Sequence, residues 1–395
     1  MPFWNDETQR NLLHCLVTGQ IIRGTDLVAL RSDLLDLLGI EDAVLCGSGS
    51  LALELALRSC HLDQGDEVII PSFCCSSVVA PILAVGATPV LADVGSELNL
   101  TAETVEAART GRTRAVLVPH LFGNPANIEQ IQELGDANNI VVIDDAAQAL
   151  GAFIDGRRAG TFGDMGVISF GAEKVCSGLG GGVLVSRSRG VLESAREIAL
   201  GHPSAAHTLA RLTSTLALHR WRGWTLPFQR MLSRAHEKSP QAPPTIYRCE
   251  IMANLNAAVA CSLIRSLPEN LQARRARVDA YHRLLANESD IELIRHGPGS
   301  ACLTQVVRIG GKGRGEDLAA RIIAALGQAG YELQGSYVPI HLLTHITQCV
   351  WDRLPYSDLV WPDLIELPCE PSVPFDDLEQ ITAIVKSMVA GHVGG

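Results

Sequence analysis

The feature that most limits the fold of this 395-residue chain is an alternation of short apolar runs and amphipathic stretches between about residues 42 and 186. Ala43-Val-Leu-Cys46, Glu67-Val-Ile-Ile70, Thr88-Pro-Val-Leu-Ala92, Ala115-Val-Leu-Val118 and Ile140-Val-Val-Ile143 are four or five residues long, as buried strands are. Between them, segments such as Leu51 to Cys60 and Thr101 to Arg109 repeat apolar residues at helical spacing. Strands without a polar face, alternating with helices, predict an α/β domain whose mostly parallel sheet is covered on both faces. Ligands of such sheets bind at the carboxyl ends of the strands, so the residues just after each run are the first candidates for chemistry.

Further along, the pattern changes. Residues 187 to 238 carry nine Arg or Lys against three Glu, in a chain whose net charge is −11, and include Trp221, Trp224 and Phe228. This basic, aromatic insertion reads either as a lid over an anionic substrate or as an amphipathic helical cover whose charges are solvated. Gln241-Ala-Pro-Pro244 reads as a linker. A helical pattern resumes at Met252, followed by an α+β region with a strand-like Cys302 to Arg308 and a helix-like Gly315 to Gly330. The expected division is a large domain over 1–240, insertion included, and a smaller C-terminal domain over 241–395.

Composition excludes several classes. No run of eighteen uninterrupted apolar residues and no charged-then-apolar leader is present, so a soluble protein away from the membrane is expected. The acidic balance disfavours nucleic acid, whose nonspecific binding depends on clustered Lys and Arg. Eleven cysteines without a C-x-x-C pair read as reduced cytoplasmic thiols rather than a disulfide framework or metal site.

Three short segments carry the chemistry. Cys46-Gly-Ser-Gly-Ser50 lies between a strand and a helix, where backbone N–H groups and the helix dipole favour a phosphate. Asp144-Asp145-Ala-Ala-Gln148 follows a strand. A carboxylate there either caps a helix or keeps the nitrogen of a bound pyridine ring protonated. Ser169-Phe-Gly-Ala-Glu-Lys174 precedes the glycine cluster Gly178 to Gly182. A lysine amine, ordinarily of pKa ~10.4, becomes an exchangeable nucleophile when tethered to an aldehyde cofactor.

In that order, phosphate loop, acidic strand end and Ser-x-x-x-x-Lys resemble the fold-type I pyridoxal phosphate enzymes, and within them the DegT/DnrJ/StrS sugar aminotransferases. The resemblance also runs through Gly65 to Ser72, Gly86 to Val90, Pro119-His-Leu-Phe-Gly123 and Gly156 to Gly160. It returns at Met252 to Ala258, Pro339-Ile-His341 and Leu367-Pro368. It implies a pyridoxal 5'-phosphate-dependent transfer of an amino group from glutamate or glutamine to a keto sugar or cyclitol, in a homodimer. By the resemblance, Lys174 would hold the aldehyde as a Schiff base and move the proton, Asp145 would pair with the ring nitrogen, and Gln148 would face the ring oxygen. Gly49, Ser50 and Ser169 would bind the phosphate, with no metal.

Two positions depart from the family pattern. Cys75 stands where an aromatic residue usually stacks on the cofactor ring, and Cys249 stands where an asparagine reaches the partner's phosphate. Both read as packing residues or as direct cofactor contacts. They keep a lyase or oxidase on the same fold open, whereas the related sugar dehydratases replace the lysine with histidine. Retention of Lys174, Asp145 and the phosphate loop together argues against a cofactor-free scaffold.

Overall fold

The structure is a computed structural model that describes residues 4–199, 201–220, 249–310, 316–331, 333 and 336–393. Trp221, Trp224, Phe228 and the Gln241–Pro244 segment, on which the aromatic part of the insertion and the linker fall, lie outside them. Two N-terminal helices, α1 (Asp6–Thr18) and α2 (Asp26–Leu38), precede the sheet. β1 (Ala43–Cys46) runs into helix α3 (Gly49–Ser59). There follow β2 (Glu67–Pro71), β3 (Thr88–Ala92), β4 (Thr113–Pro119), β5 (Val141–Asp145), the hairpin β6 (Phe153–Ile154) and β7 (Arg157–Arg158), β8 (Met165–Ser169) and β9 (Gly182–Ser186). The seven-stranded sheet has the order β1-β9-β8-β5-β4-β2-β3, with β9 antiparallel to both neighbours and the other pairs parallel.

Every predicted run is a strand. The expected mostly parallel sheet is present, and β8 and β9 add two strands that the apolar runs alone do not announce. β8 carries Gly166 in its interior, where glycine weakens a strand signal. The glycine is required there, because a Cβ would lie 1.9 Å from the Gly160 carbonyl oxygen.

Side chains alternate across the sheet and sort into two cores. Val68, Ile70, Leu117, Ile143 and Val167 point to the face covered by α3. Ile69, Val116, Val118 and Val142 point to the other, where the helix Ile128–Asn138 contributes Ile131. The period-2 rule therefore places Asp145 on the α3 face and Asp144 on the opposite one. Helix α3 is buried from Leu51 to Leu57, including Glu54, which is paired with Arg58 at 2.6 Å.

The helix Asn254–Arg265 packs with α1 and α2 in a core shared with Ile168, Val183 and Val185. Asn254 ties this contact together. Its Oδ1 accepts from the N–H of Asp26 at 3.0 Å, and its Nδ2 donates to Gln20 O at 2.9 Å and Asp26 Oδ2 at 2.8 Å. Asn256 Nδ2 donates to the carbonyls of Leu179 and Gly180, both at 3.1 Å, and so holds the glycine-rich approach to β9. These bonds account for the reach of the family pattern into Met252–Ala258.

A second, three-stranded antiparallel sheet follows: β10 (Ile291–Leu293), β11 (Thr304–Ile309) and β12 (Leu364–Pro368), in that order. The helices Leu267–Leu284, Glu316–Gln328 and Phe375–Val393 cover it around a core of its own. Both sequence-level expectations for this region, a strand near 302–308 and a helix near 315–330, are met within a few residues. Of the insertion, the helices Arg189–Ile198 and Ala205–Arg220 are described. Leu192 and Ala195 are buried in the core under α3. No helix among the described residues is long and apolar enough to cross a membrane.

Candidate active site

Asp144 and Asp145, adjacent in sequence, have opposite environments. Asp144 is fully buried, and its oxygens are used: Oδ1 meets His120 Nε2 at 2.8 Å, and Oδ2 accepts from the N–H of Gly160 at 2.7 Å and of Phe162 at 2.9 Å. The Ala126 N–H donates to His120 Nδ1 at 2.9 Å, which leaves the ring proton on Nε2, donated to Asp144. This network anchors the β6–β7 hairpin and has no oxygen left over for a ligand.

Asp145 is also buried, but only its Oδ1 is engaged, accepting from the Ala147 N–H at 2.9 Å. Among the described residues no donor reaches Oδ2. Burial pushes its carboxyl above the usual range, against the Ala147 hydrogen bond and the attraction of Lys174. A buried carboxylate with one open oxygen is the acceptor expected for a protonated ring nitrogen, whose positive charge would lower the carboxyl again.

Gly49 and Ser50 form the first turn of α3, whose first N–H groups have no intrahelical acceptors. Ser48 caps the helix by accepting from the Leu51 N–H at 3.1 Å. A Cβ on Gly49 would come within 3.0 Å of Ser169 Cβ and 3.1 Å of its Oγ, so the bare backbone lets the helix start meet the end of β8. Ser169 Oγ accepts from the Gly171 N–H at 3.2 Å, and a Cβ on Gly171 would meet Lys174 Cγ at 3.6 Å. Gly49, Ser169, Gly171 and Lys174 thus converge on one corner. The geometry suits a phosphate on the helix start with an aldehyde within reach of Lys174, and pyridoxal phosphate fits the residues present. The chain has only four lysines, Lys174, Lys238, Lys312 and Lys386. Of these, Lys386 lies 3.7 Å from Glu288, on the helix Phe375–Val393.

Gln148 is placed by both amide ends. Its Oε1 accepts from the Phe122 N–H at 2.9 Å, and its Nε2 donates to the Tyr337 hydroxyl at 3.1 Å, leaving one amide hydrogen for a ligand. Phe122 sits in the left-handed backbone region at φ 58°, a conformation held in part by that bond. Its ring stacks on Tyr337 with centroids 6.1 Å apart, and Phe73 packs against both at 6.2 Å. This aromatic trio stands next to Cys75. Cys75 itself is half-buried, with Sγ 3.0 Å from Ser77 Oγ. Cys249 is exposed, with Sγ 3.8 Å from Glu54 Oε2. All eleven cysteines are free thiols, and among the described residues no group of three or more His, Cys, Asp or Glu could hold a metal ion.

The C-terminal region supplies the far wall. His341 Nδ1 meets Ser72 Oγ at 2.6 Å, while Nε2 donates to Asp358 Oδ1 at 2.7 Å, and the Ile340 N–H donates to Ser72 O at 2.7 Å. These bonds lock the Pro339-Ile-His341 segment onto the loop after β2. Tyr337 and Glu366, beside the two C-terminal motifs, were not singled out from the sequence. The only signal was their position one or two residues from Pro339 and Leu367.

Residues 3–386 match the DegT/DnrJ/EryC1/StrS aminotransferase family. The chain belongs to that family. It is 39% identical over 189 residues to UDP-N-acetyl-3-dehydro-alpha-D-glucosamine 3-aminotransferase of Acidithiobacillus ferrooxidans, a match covering 48% of this chain and 51% of that protein, about half its length. It is 26% identical to the GDP-perosamine synthase of Caulobacter vibrioides, over 96% of this chain and 94% of that one. Among solved structures, TlmJ, an aminotransferase from Streptoalloteichus hindustanus, superposes with a TM-score of 0.80 at 24% identity, covering 99% of this chain and 98% of that chain. The fold is therefore that of the fold-type I aminotransferases, as the sequence implied.

Proposed function

We propose that this member of the DegT/DnrJ/EryC1/StrS family transfers an amino group from glutamate or glutamine to a keto sugar or cyclitol, with pyridoxal 5'-phosphate as its cofactor. The observation that carries the reading is the open Oδ2 of buried Asp145, on the face shared with the α3 N-terminus, Ser169 and Lys174. When bound, the cofactor supplies an electron sink that stabilises charge developing on the substrate carbon next to nitrogen.

The chain's own groups then have distinct tasks. Gly49, Ser50 and Ser169 would hold the phosphate, Asp145 would keep the ring nitrogen protonated, and the remaining amide hydrogen of Gln148 would be available to the ring oxygen. Lys174 would hold the cofactor through its side-chain amine, and the same amine, when free, would take up and return the proton of the substrate carbon. Phe122 and Tyr337 exclude water on the Gln148 side, and Cys75 offers a small surface where the family places a ring. A homodimer suits the exposed apolar side chains Leu13, Val17 and Val28 of α1 and α2, which a second copy would cover.

The test is the first half-reaction. Glutamate or glutamine, added without acceptor, should release about one equivalent of 2-oxo acid per cofactor and stop, with the spectrum restored by 2-oxoglutarate. Continuous ammonia release or oxygen uptake, with no amino group retained, would instead mark a lyase or oxidase.

A further inference from the structure

Glu366 is a carboxyl with an unusual position. Along β12 the fully buried Ile365 and Leu367 enter the C-terminal core, whereas Leu364 joins the core under the central sheet. Alternation puts Glu366 on the Leu364 face, opposite Val306 of β11, which belongs to that same core. This face looks toward the wall that carries Tyr337. Ser336 Oγ donates to Glu366 Oε1 at 3.1 Å, and Tyr337, the next residue, is bound to Gln148 at 3.1 Å. No donor among the described residues reaches Oε2. The charged groups around it are Lys174 and Glu173 from the loop after β8, and Glu370 just beyond β12. Arg308, next along β11, is committed to Asp363 at 3.5 Å and Glu292 at 4.0 Å.

We propose that Glu366 is a specificity-determining carboxyl that faces the part of the amino donor extending away from Lys174, and selects a neutral amide side chain over a carboxylate. The inference rests on the transamination reading above. Glutamine and glutamate are identical up to their terminal group. An ionised Glu366 accepts an N–H from the amide and repels the carboxylate, whereas a protonated Glu366 donates to the carboxylate. Burial pushes Glu366 up to about 7, with Glu173 and Glu370 adding and Ser336 and Lys174 opposing. The protein therefore switches between the two preferences as pH crosses neutrality. The donor's own terminal carboxyl, with a pKa of about 4.3, stays ionised throughout.

The experiment measures single-turnover release of oxo acid from L-glutamine and from L-glutamate at pH 6 and pH 8.5, in the cofactor-loaded protein and in Glu366→Gln. The glutamine-to-glutamate rate ratio should rise about tenfold between the two pH values in the native protein, the scale of one charged hydrogen bond, and stay flat in Glu366→Gln. Ser336→Ala, which removes the bond that lowers the carboxyl, should move the midpoint of the ratio to higher pH. Infrared titration of the cofactor-free proteins provides a second readout: one carboxyl titrating near neutrality should be absent from Glu366→Gln. A ratio that does not change with pH in the native protein, or that changes equally in Glu366→Gln, overturns the role of Glu366 while leaving transamination intact. Failure of both donors to give oxo acid at any pH removes the transamination reading and this role with it.

Discussion

The two walls of the site are built differently. The wall from the central sheet takes Asp145, Ser169 and Lys174 from strand ends or the loops just after them, and Gly49 from the helix that follows β1. Each lies within a short, continuous motif whose backbone geometry fixes it. The opposite wall takes Ser336, Tyr337, His341 and Glu366 from segments that are distant in sequence and meet the first wall through tertiary contacts such as the hydrogen bond from Gln148 to Tyr337, 189 positions apart. On the proposed function the first wall would hold the cofactor. On the same reading the second wall would meet the substrate, which would put family chemistry and specificity in separate parts of the chain.

The sharpest way to break this comparison is within β5. Asp145→Asn should keep the fold and slow the donor half-reaction by about 10²–10⁴-fold, because an amide cannot hold a ring nitrogen protonated. Asp144→Asn should act on stability instead, costing about 3 kcal/mol, since its amide would turn a donor toward the N–H groups of Gly160 or Phe162 or toward His120. Single-turnover rates and thermal melts on both variants check the pair. The reverse pattern would mean that the open oxygen of Asp145 is not the functional one. A smaller effect is expected from the second wall: Tyr337→Phe loses one hydrogen bond to Gln148, worth about 1 kcal/mol, and should change donor kinetics by less than about tenfold with no loss of cofactor.

Legibility in the sequence follows the same division. The strands β1 to β5 could be read because they are apolar on both faces, and their ends pointed directly to Asp145. The choice between Asp144 and Asp145 followed from the family pattern. The structure gives its physical reason in the alternation of Val142 and Ile143 between two cores. β8 was hidden by Gly166, a residue demanded by the approach of the Gly160 carbonyl. No local pattern could reveal that Tyr337 would stack on Phe122, or that β12 would turn Glu366 onto the face of Leu364 and Val306, because both depend on how the second sheet sits against the first. The Cys75 departure was visible, but the aromatic trio of Phe73, Phe122 and Tyr337 beside it was not.

The central claim is that Lys174 is the residue that holds the cofactor, and the scarcity of lysine makes it directly testable. Borohydride reduction of the cofactor-loaded protein, followed by peptide mapping by mass spectrometry, should place the reduced pyridoxyl adduct on the peptide containing Lys174 and on none containing Lys238, Lys312 or Lys386. Lys174→Ala should abolish the adduct. An adduct on any of the other three lysines, or one that persists in Lys174→Ala, would contradict the account.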